Sequence, residues 1–389
     1  MLGSGRRNHG LSRHQALASR DVSQLRERKL ALEWLSVALI GLTLALTLFG
    51  VLMIYSATRS VSLAARQAAW LCMSLVAFAV LVRVNYAELM RINRYIYLSV
   101  IVLLVAVLVP GIGKVVNGAR SWIPLGPLGS CQPSEFAKIG IIVTLATLLR
   151  NSDLYGRHEV LPALVHVGIP VLLILLQPDF GTGMVFIVIL FAMLFVAGTD
   201  IKWLIGMIAI GTASIPLLVK YGLREYQRRR LLVFLNPYSD PLGAGWNIIQ
   251  SLVSVGSGRL FGKGLFGSTQ GRLGFLPERH NDFIFALVAE ELGFVGSFLL
   301  LATYALILLL GIRVAFSAKD FFGRCVAAGV VSMYFAHVVI NVGMTLGLMP
   351  VTGIPLPFVS SGGSSLLTNW VGLALLVNVY NRRGGFSFR

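Results

Sequence analysis

LPERHNDFIFALVAEELG, residues 276–293, decides how the rest of the chain is read. Its first half carries Glu278, Arg279, His280 and Asp282, and its second half opens a long, mostly apolar run. An α-helix needs roughly twenty apolar residues to cross a hydrocarbon layer about 30 Å thick. The stretch therefore predicts a charge cluster where a long loop meets a membrane-spanning helix over 283–312.

Outward from it, apolar runs of spanning length fall at 34–55, 64–82, 95–110, 134–150, 160–177, 181–198, 202–221, 325–349 and 362–381. With 283–312 they predict an all-α integral membrane fold of about ten helices. Pro178 and Gly181 separate two runs that would otherwise merge. The expected organisation is a basic cytoplasmic tail over 1–33, a membrane domain over 34–383 with an extracytoplasmic loop at 222–282 between helices 7 and 8, and a second tail over 384–389. Residues 1–33 have neither an apolar core nor a small-residue cleavage site, so they read as a tail and not as a signal peptide.

Composition agrees. Of 389 residues, 56% are hydrophobic and 13% charged, and the mean hydropathy is +0.79. A soluble domain does not look like this. The net charge of +17 invites a nucleic-acid reading, but the basic residues sit in tails and short loops between apolar runs. Membrane lipids with anionic headgroups and the orientation of cytoplasmic loops account for them; no nucleic acid is expected. Cys72, Cys131 and Cys325 form no CxxC motif and no metal spacing.

The bias of Lys and Arg puts both termini on the cytoplasmic side. Four polar motifs then fall on the outer face: 117–138, 177–183, the long loop ending in HNDF (280–283), and 350–365. The chemistry is expected at the outer surface or in a cavity open to it.

Several residues there can carry chemistry. Asp282 is either a helix cap, a role open to Asn281 as well, or a carboxylate near the lipid–water boundary that serves as a general base. Glu135 and Lys138, three apart on one helix, form either a structural ion pair or a lysine held ready for a phosphate oxygen. Arg120 offers a bidentate phosphate contact. Asp179, between Pro178 and Gly181, is a turn carboxylate or a metal ligand, the turn being favoured. Glu290 and Glu291 cannot both face lipid. His166 and His337 are lone intramembrane histidines, read as satisfied core residues. GWNIIQSLVSV (245–255) reads as a short amphipathic helix; Trp246 stacks on sugar rings or anchors the chain at the interface.

Together the motifs GARSWI (118–123), QPSEFAK (132–138), QPDFGT (177–182), GAGWNIIQS (243–251), LPERHNDFIFALVAEELG (276–293) and GLMPVTGIPLPFVSSGGSS (347–365) resemble the SEDS family (shape, elongation, division and sporulation) of multi-span peptidoglycan polymerases. The likeness runs from about residue 34 to 383. The FLPERHNDF form is most similar to the rod-elongation branch; division-type chains tend to carry an acidic residue where this one has Gly274. The resemblance implies an outward-facing cavity, lipid II as substrate, Asp282 as the essential carboxylate, and Glu135 and Lys138 as the ion pair of the fourth span. Gln132, Ser134, Arg120, Asp179, Trp246, Asn247, Glu278, Arg279 and His280 fall in the matched motifs as candidate substrate-binding residues. It also implies a class B penicillin-binding protein as partner and a divalent cation, Mg²⁺ or Mn²⁺, with Asp282 a possible ligand. Ser361 and Leu176 depart from the Tyr and Lys of many relatives, and no role is carried over to them.

The implied reaction is attack of a sugar hydroxyl on the anomeric carbon of a diphosphate-linked glycan strand. Diphosphate already leaves readily, so the site needs a base for the hydroxyl and positive charge on the diphosphate. Asp282 suits the first; Lys138, Arg120 or a metal suits the second. A single displacement inverts the anomeric centre. A lipid II transporter and a non-catalytic scaffold are the rival classes. A transporter needs polar groups reachable from both sides, and a scaffold leaves HNDF without a chemical job.

Overall fold

The structure is a computed structural model; it describes residues 34–383 apart from 117–118, 125, 127–128, 151–159, 218, 221–227, 229–231, 244, 270–273 and 277. The expected tails at 1–33 and 384–389 lie outside the described residues, as does part of the 222–282 loop.

The helices follow the apolar runs. They are α1 (Trp34–Thr58), α2 (Val61–Arg83), α3 (Tyr86–Arg91), α4 (Asn93–Leu108), α5 (Pro133–Arg150), α6 (Val160–Leu176), α7 (Phe180–Val196), α8 (Ile201–Leu217), α9 (Trp246–Ser257), α10 (Ile284–Ser317), α11 (Phe321–Thr345) and α12 (Gly363–Asn381). By length and composition α1, α2, α10 and α11 can each cross a membrane, while α4, α6, α7 and the Ile201–Ser214 part of α8 are shorter apolar helices. Between α4 and α5 the chain forms a small antiparallel sheet, β1 (Lys114–Val116), β2 (Ala119–Pro124) and β3 (Ser130–Cys131), in that order. The helix-only expectation had no place for it. Val115, Val116, Trp122 and Ile123 give the segment its β propensity.

Local chemistry sets the boundaries. Ser60 caps α2 through the amide of Leu63, Asp179 caps α7 through Thr182, and Asp320 caps α11 through Gly323. Pro133 opens α5 at the first helical position, where its missing N–H costs nothing.

Packing is built on α11, which is buried along most of its length and contacts α5, α7, α10 and α12. Helix α5 is the other largely buried element. Around them, α1, α2, α6, α8 and α10 leave apolar side chains such as Leu48, Val76, Leu172, Ile210 and Phe298 exposed. An apolar surface of this extent has lipid as its solvent.

Helix α10 is broken. Gly293 has φ 68° and ψ −163°, so the stretch is two helices joined at a kink. The interruption frees backbone groups, and the segment after α9 takes them up. Lys263 and Gly264 amides donate to the Glu290 and Glu291 carbonyls, and the Phe294 and Val295 amides donate to the Arg259 and Leu260 carbonyls. Side chains reinforce the join: Glu290 accepts from Lys263 Nζ at 2.7 Å and Ser268 Oγ at 2.6 Å, and Glu291 from Ser56 Oγ at 2.6 Å. Both glutamates are buried, as their cost in lipid requires.

Candidate active site

The first half of α10 begins after a turn at 278–283, in which the Asn281 and Phe283 amides both donate to the Glu278 carbonyl. Phe283 is the N-cap, and no side chain caps the helix. The alternative in which Asn281 or Asp282 caps α10 is thereby corrected: the Asn281 side-chain amide turns back to Glu278 Oε2 at 2.8 Å.

Three consecutive carbonyls of this turn are held from outside. His280 O accepts from the Ser361 amide at 2.9 Å, Asn281 O from Ser360 Oγ at 2.7 Å, and Asp282 O from Asn341 Nδ2 at 2.8 Å. The same Asn341 amide donates to Ile354 O at 2.7 Å. The backbone is clamped between α11 and the 350–361 segment, while the Asp282 side chain is half-buried. It faces Gly353, where a Cβ would lie 3.3 Å from Asp282 Oδ2 on a backbone with φ +74°. Only glycine leaves that approach open.

One helical turn along α11 from Asn341 stands His337, at the centre of a second layer. Lys138 Nζ lies 2.6 Å from Glu135 Oε1 and 2.8 Å from His337 Nε2, and His337 Nδ1 lies 3.1 Å from Pro355 O. The lone pair of Nε2 receives the ammonium if Nδ1 carries the proton toward Pro355, which assigns the tautomer. Lys138 has no exposed side-chain surface and Glu135 only 2%, so the pair is fully desolvated. Ser134 Oγ, Glu135 Oε2 and Asn341 Oδ1 are buried without a hydrogen-bond partner among the described residues, so acceptor capacity is left over between the layers.

Gln132 stitches further motifs to this end of the bundle. Its side-chain amide donates to Asp179 Oδ2 at 2.8 Å, and its backbone amide to Ser364 Oγ at 3.3 Å. Asp179 is engaged on both oxygens, by the Thr182 amide at 3.1 Å and the Thr182 hydroxyl at 2.8 Å as well as by Gln132. It is the turn carboxylate favoured above. Burial pushes its carboxyl up, against the pull of the Thr182 bonds and the Lys138 charge. Burial pushes His280 down, opposed by Glu278 and assisted by Arg279. Arg279 spends its Nε on Ala57 O at 2.8 Å, tying the turn to α1.

Other candidates sit apart. Arg120 is on β2, with Nη1 3.5 Å from Leu108 O. Trp246 and Asn247 begin α9; the indole donates to Phe275 O at 2.6 Å and meets the Phe275 ring edge-on. Among the described residues the bonds of Arg120 and Trp246 go to Leu108 O and Phe275 O, away from the Asp282–Lys138 cluster. The sequence treated His337 as a satisfied core residue and overlooked Asn341, Ser360 and Gln67, the last donating to Ser360 O. The only signal was the four-residue spacing of His337 and Asn341, two polar groups on one face of an apolar helix.

These features define a multi-pass helical membrane protein with a carboxylate and a desolvated lysine pair at one end of its bundle. The profile of the FtsW/RodA/SpoVE family, described as "Cell cycle protein", matches residues 30–384, and the chain belongs to that family, whose SEDS members are peptidoglycan glycosyltransferase enzymes. It is 41% identical over 354 residues to Stage V sporulation protein E of Bacillus subtilis, covering 88% of this chain and 95% of the relative. It is 39% identical over 345 residues to Peptidoglycan glycosyltransferase MrdB of Escherichia coli K12, covering 87% and 92%. Among solved structures it resembles a chain described under "Structural coordination of polymerization and crosslinking by a peptidoglycan synthase complex", with a TM-score of 0.78 at 34% identity, covering 90% of this chain and 98% of that one.

The family resemblance implies a divalent cation. Among the described residues no three His, Cys, Asp or Glu side chains gather to cage one. Mg²⁺ does not need such a cage: it takes one or two carboxylates and completes its shell with water and substrate phosphates. The Asp282 carboxylate is a donor of that kind, so the residues fit a cation shared with a diphosphate.

Proposed function

We propose that this chain polymerises lipid II into glycan strands at the outer face of the cytoplasmic membrane, with both termini cytoplasmic, during cell elongation. What carries the reading is the clamp on three successive carbonyls of residues 280–282, which fixes the Asp282 backbone beside Gly353 through Asn341, one helical turn along α11 from the His337 that meets Lys138. A carboxylate fixed at the edge of an apolar bundle suits removal of a proton from an attacking sugar hydroxyl. Lys138, with Glu135 and His337 around it, supplies positive charge beneath that position, and Gln132 and Ser134 line the same layer. A divalent cation at Asp282, when bound, would neutralise the leaving diphosphate.

The elongation role rests on the FLPERHNDF form; the relatives span sporulation, elongation and division proteins, so complementation of an elongation-defective against a division-defective strain decides it. The similarity to a chain of a peptidoglycan synthase complex supports a class B penicillin-binding protein as partner.

The test is purified protein with lipid II, glycan products being separated on a gel. Wild type, assayed alone and with its partner, is expected to make strands, and Asp282→Asn to make none under either condition while keeping its elution profile and melting temperature. Strand synthesis by the Asn variant near the wild-type rate would reject the base assignment. Lipid II crossing a sealed vesicle without polymerisation would favour the transporter.

A further inference from the structure

At the opposite end of the bundle from Asp282, where α1 begins and α10 and α12 end, lies an open cavity of about 540 Å³. Its floor includes Leu310, and its walls carry Trp34, Phe316, Tyr380, Arg313 and Arg383. Among the described residues no carboxylate lines it. Neither arginine has a salt bridge among the described residues, and the Arg383 guanidinium stacks 3.8 Å over the Tyr380 ring. Trp34 and Phe316 are 73% and 84% exposed.

Each feature fits one class of ligand. Aromatic side chains left bare at a helix end sit at the headgroup level of a bilayer. Two guanidiniums beside an apolar lining, with no counter-charge among the described residues that line the cavity, match a phosphodiester above its acyl chains. The volume is within the range of small-molecule sites, and a basic pocket between spanning helices is the usual form of an anionic-headgroup site. We infer that this cavity binds one anionic phospholipid from the leaflet opposite the candidate active site, its phosphate between Arg313 and Arg383 and its chains over Leu310 and Phe316. Guanidinium is the apt choice here because its planar fork can hold phosphate with one edge while its face stays on Tyr380.

The experiment uses the full-length protein in nanodiscs of phosphatidylcholine with and without phosphatidylglycerol, with retained lipid counted by native mass spectrometry. Wild type should retain one phosphatidylglycerol per chain, less so as salt rises. Arg313→Gln with Arg383→Gln should lower that retention about thirtyfold, since each interfacial basic residue contributes roughly fivefold to anionic-lipid binding. The Arg313→Lys, Arg383→Lys double variant should recover part of it. Arg94→Gln with Arg324→Gln removes the same charge from exposed positions outside the cavity and should leave retention near wild type. Equal loss in that control would mean diffuse surface charge and would overturn the site. So would retention of phosphatidylcholine as tight as that of phosphatidylglycerol. Should the Gln variant fail to fold, the salt dependence and headgroup preference of the wild type still decide the question.

Discussion

At the scale of single residues, the buried Glu135–Lys138 pair and His280 are the positions where environment departs most from the bare sequence. Removing one partner of a desolvated ion pair strands the other charge, at a cost of about 3–5 kcal/mol. Lys138→Met is therefore expected to lower the melting temperature sharply, and adding Glu135→Gln to restore most of it. If the lysine also serves the diphosphate, the double variant folds yet stays inactive, and melting curves run beside the polymerisation assay separate the two roles. His280 tests linkage. Its burial lowers its proton affinity in the folded chain, so below the ordinary histidine value of about 6.5 the unfolded chain binds the proton first and stability falls with acidification. The melting temperature should decline between about pH 7 and pH 5, and His280→Gln should flatten that slope.

At the scale of elements, the break in α10 matters more than its length. Gly293 lets the Asp282-bearing half and the remaining helix meet at an angle no L-residue readily adopts. The amides and carbonyls freed there are satisfied by residues 259–264, so α9 and the loop after it set where the first half of α10 points. Gly293→Ala should cost roughly 1–3 kcal/mol from backbone strain alone, and more from contact with Leu260 O and Gly262 N. The polymerisation rate should fall further than the loss of folded protein explains. Gly168→Ala, in α6 with nothing near its Cβ, should be neutral or mildly stabilising. Melting temperatures of the two variants in one detergent make the comparison.

At the scale of the whole molecule, topology is the claim that everything functional rests on. With Cys72, Cys131 and Cys325 replaced, a cysteine at the exposed Gly274 should react with a membrane-impermeant maleimide in intact cells. One at the exposed Arg91, at the other end of the bundle, should react only after lysis. The reverse pattern would put Asp282 in the cytoplasm and remove the polymerase reading together with its outer-leaflet substrate.

The sequence by itself determined the helical membrane class, because spanning a bilayer demands long apolar runs whose backbone groups are satisfied internally. It also determined the i,i+3 pairing of Glu135 with Lys138 and the turn role of Asp179, since both depend on neighbours along the chain. The tertiary structure alone decided that Gln132 meets Asp179, that His337 completes the lysine layer, and that Ser360, Ser361 and Asn341 grip the HNDF backbone. It likewise broke α10 at Gly293 and paired β1, β2 and β3 into a small sheet. The contacts of Gln132, His337, Asn341, Ser360 and Ser361 join residues tens to hundreds of positions apart, and the grip on HNDF falls on backbone carbonyls, which every residue carries and no sequence motif marks.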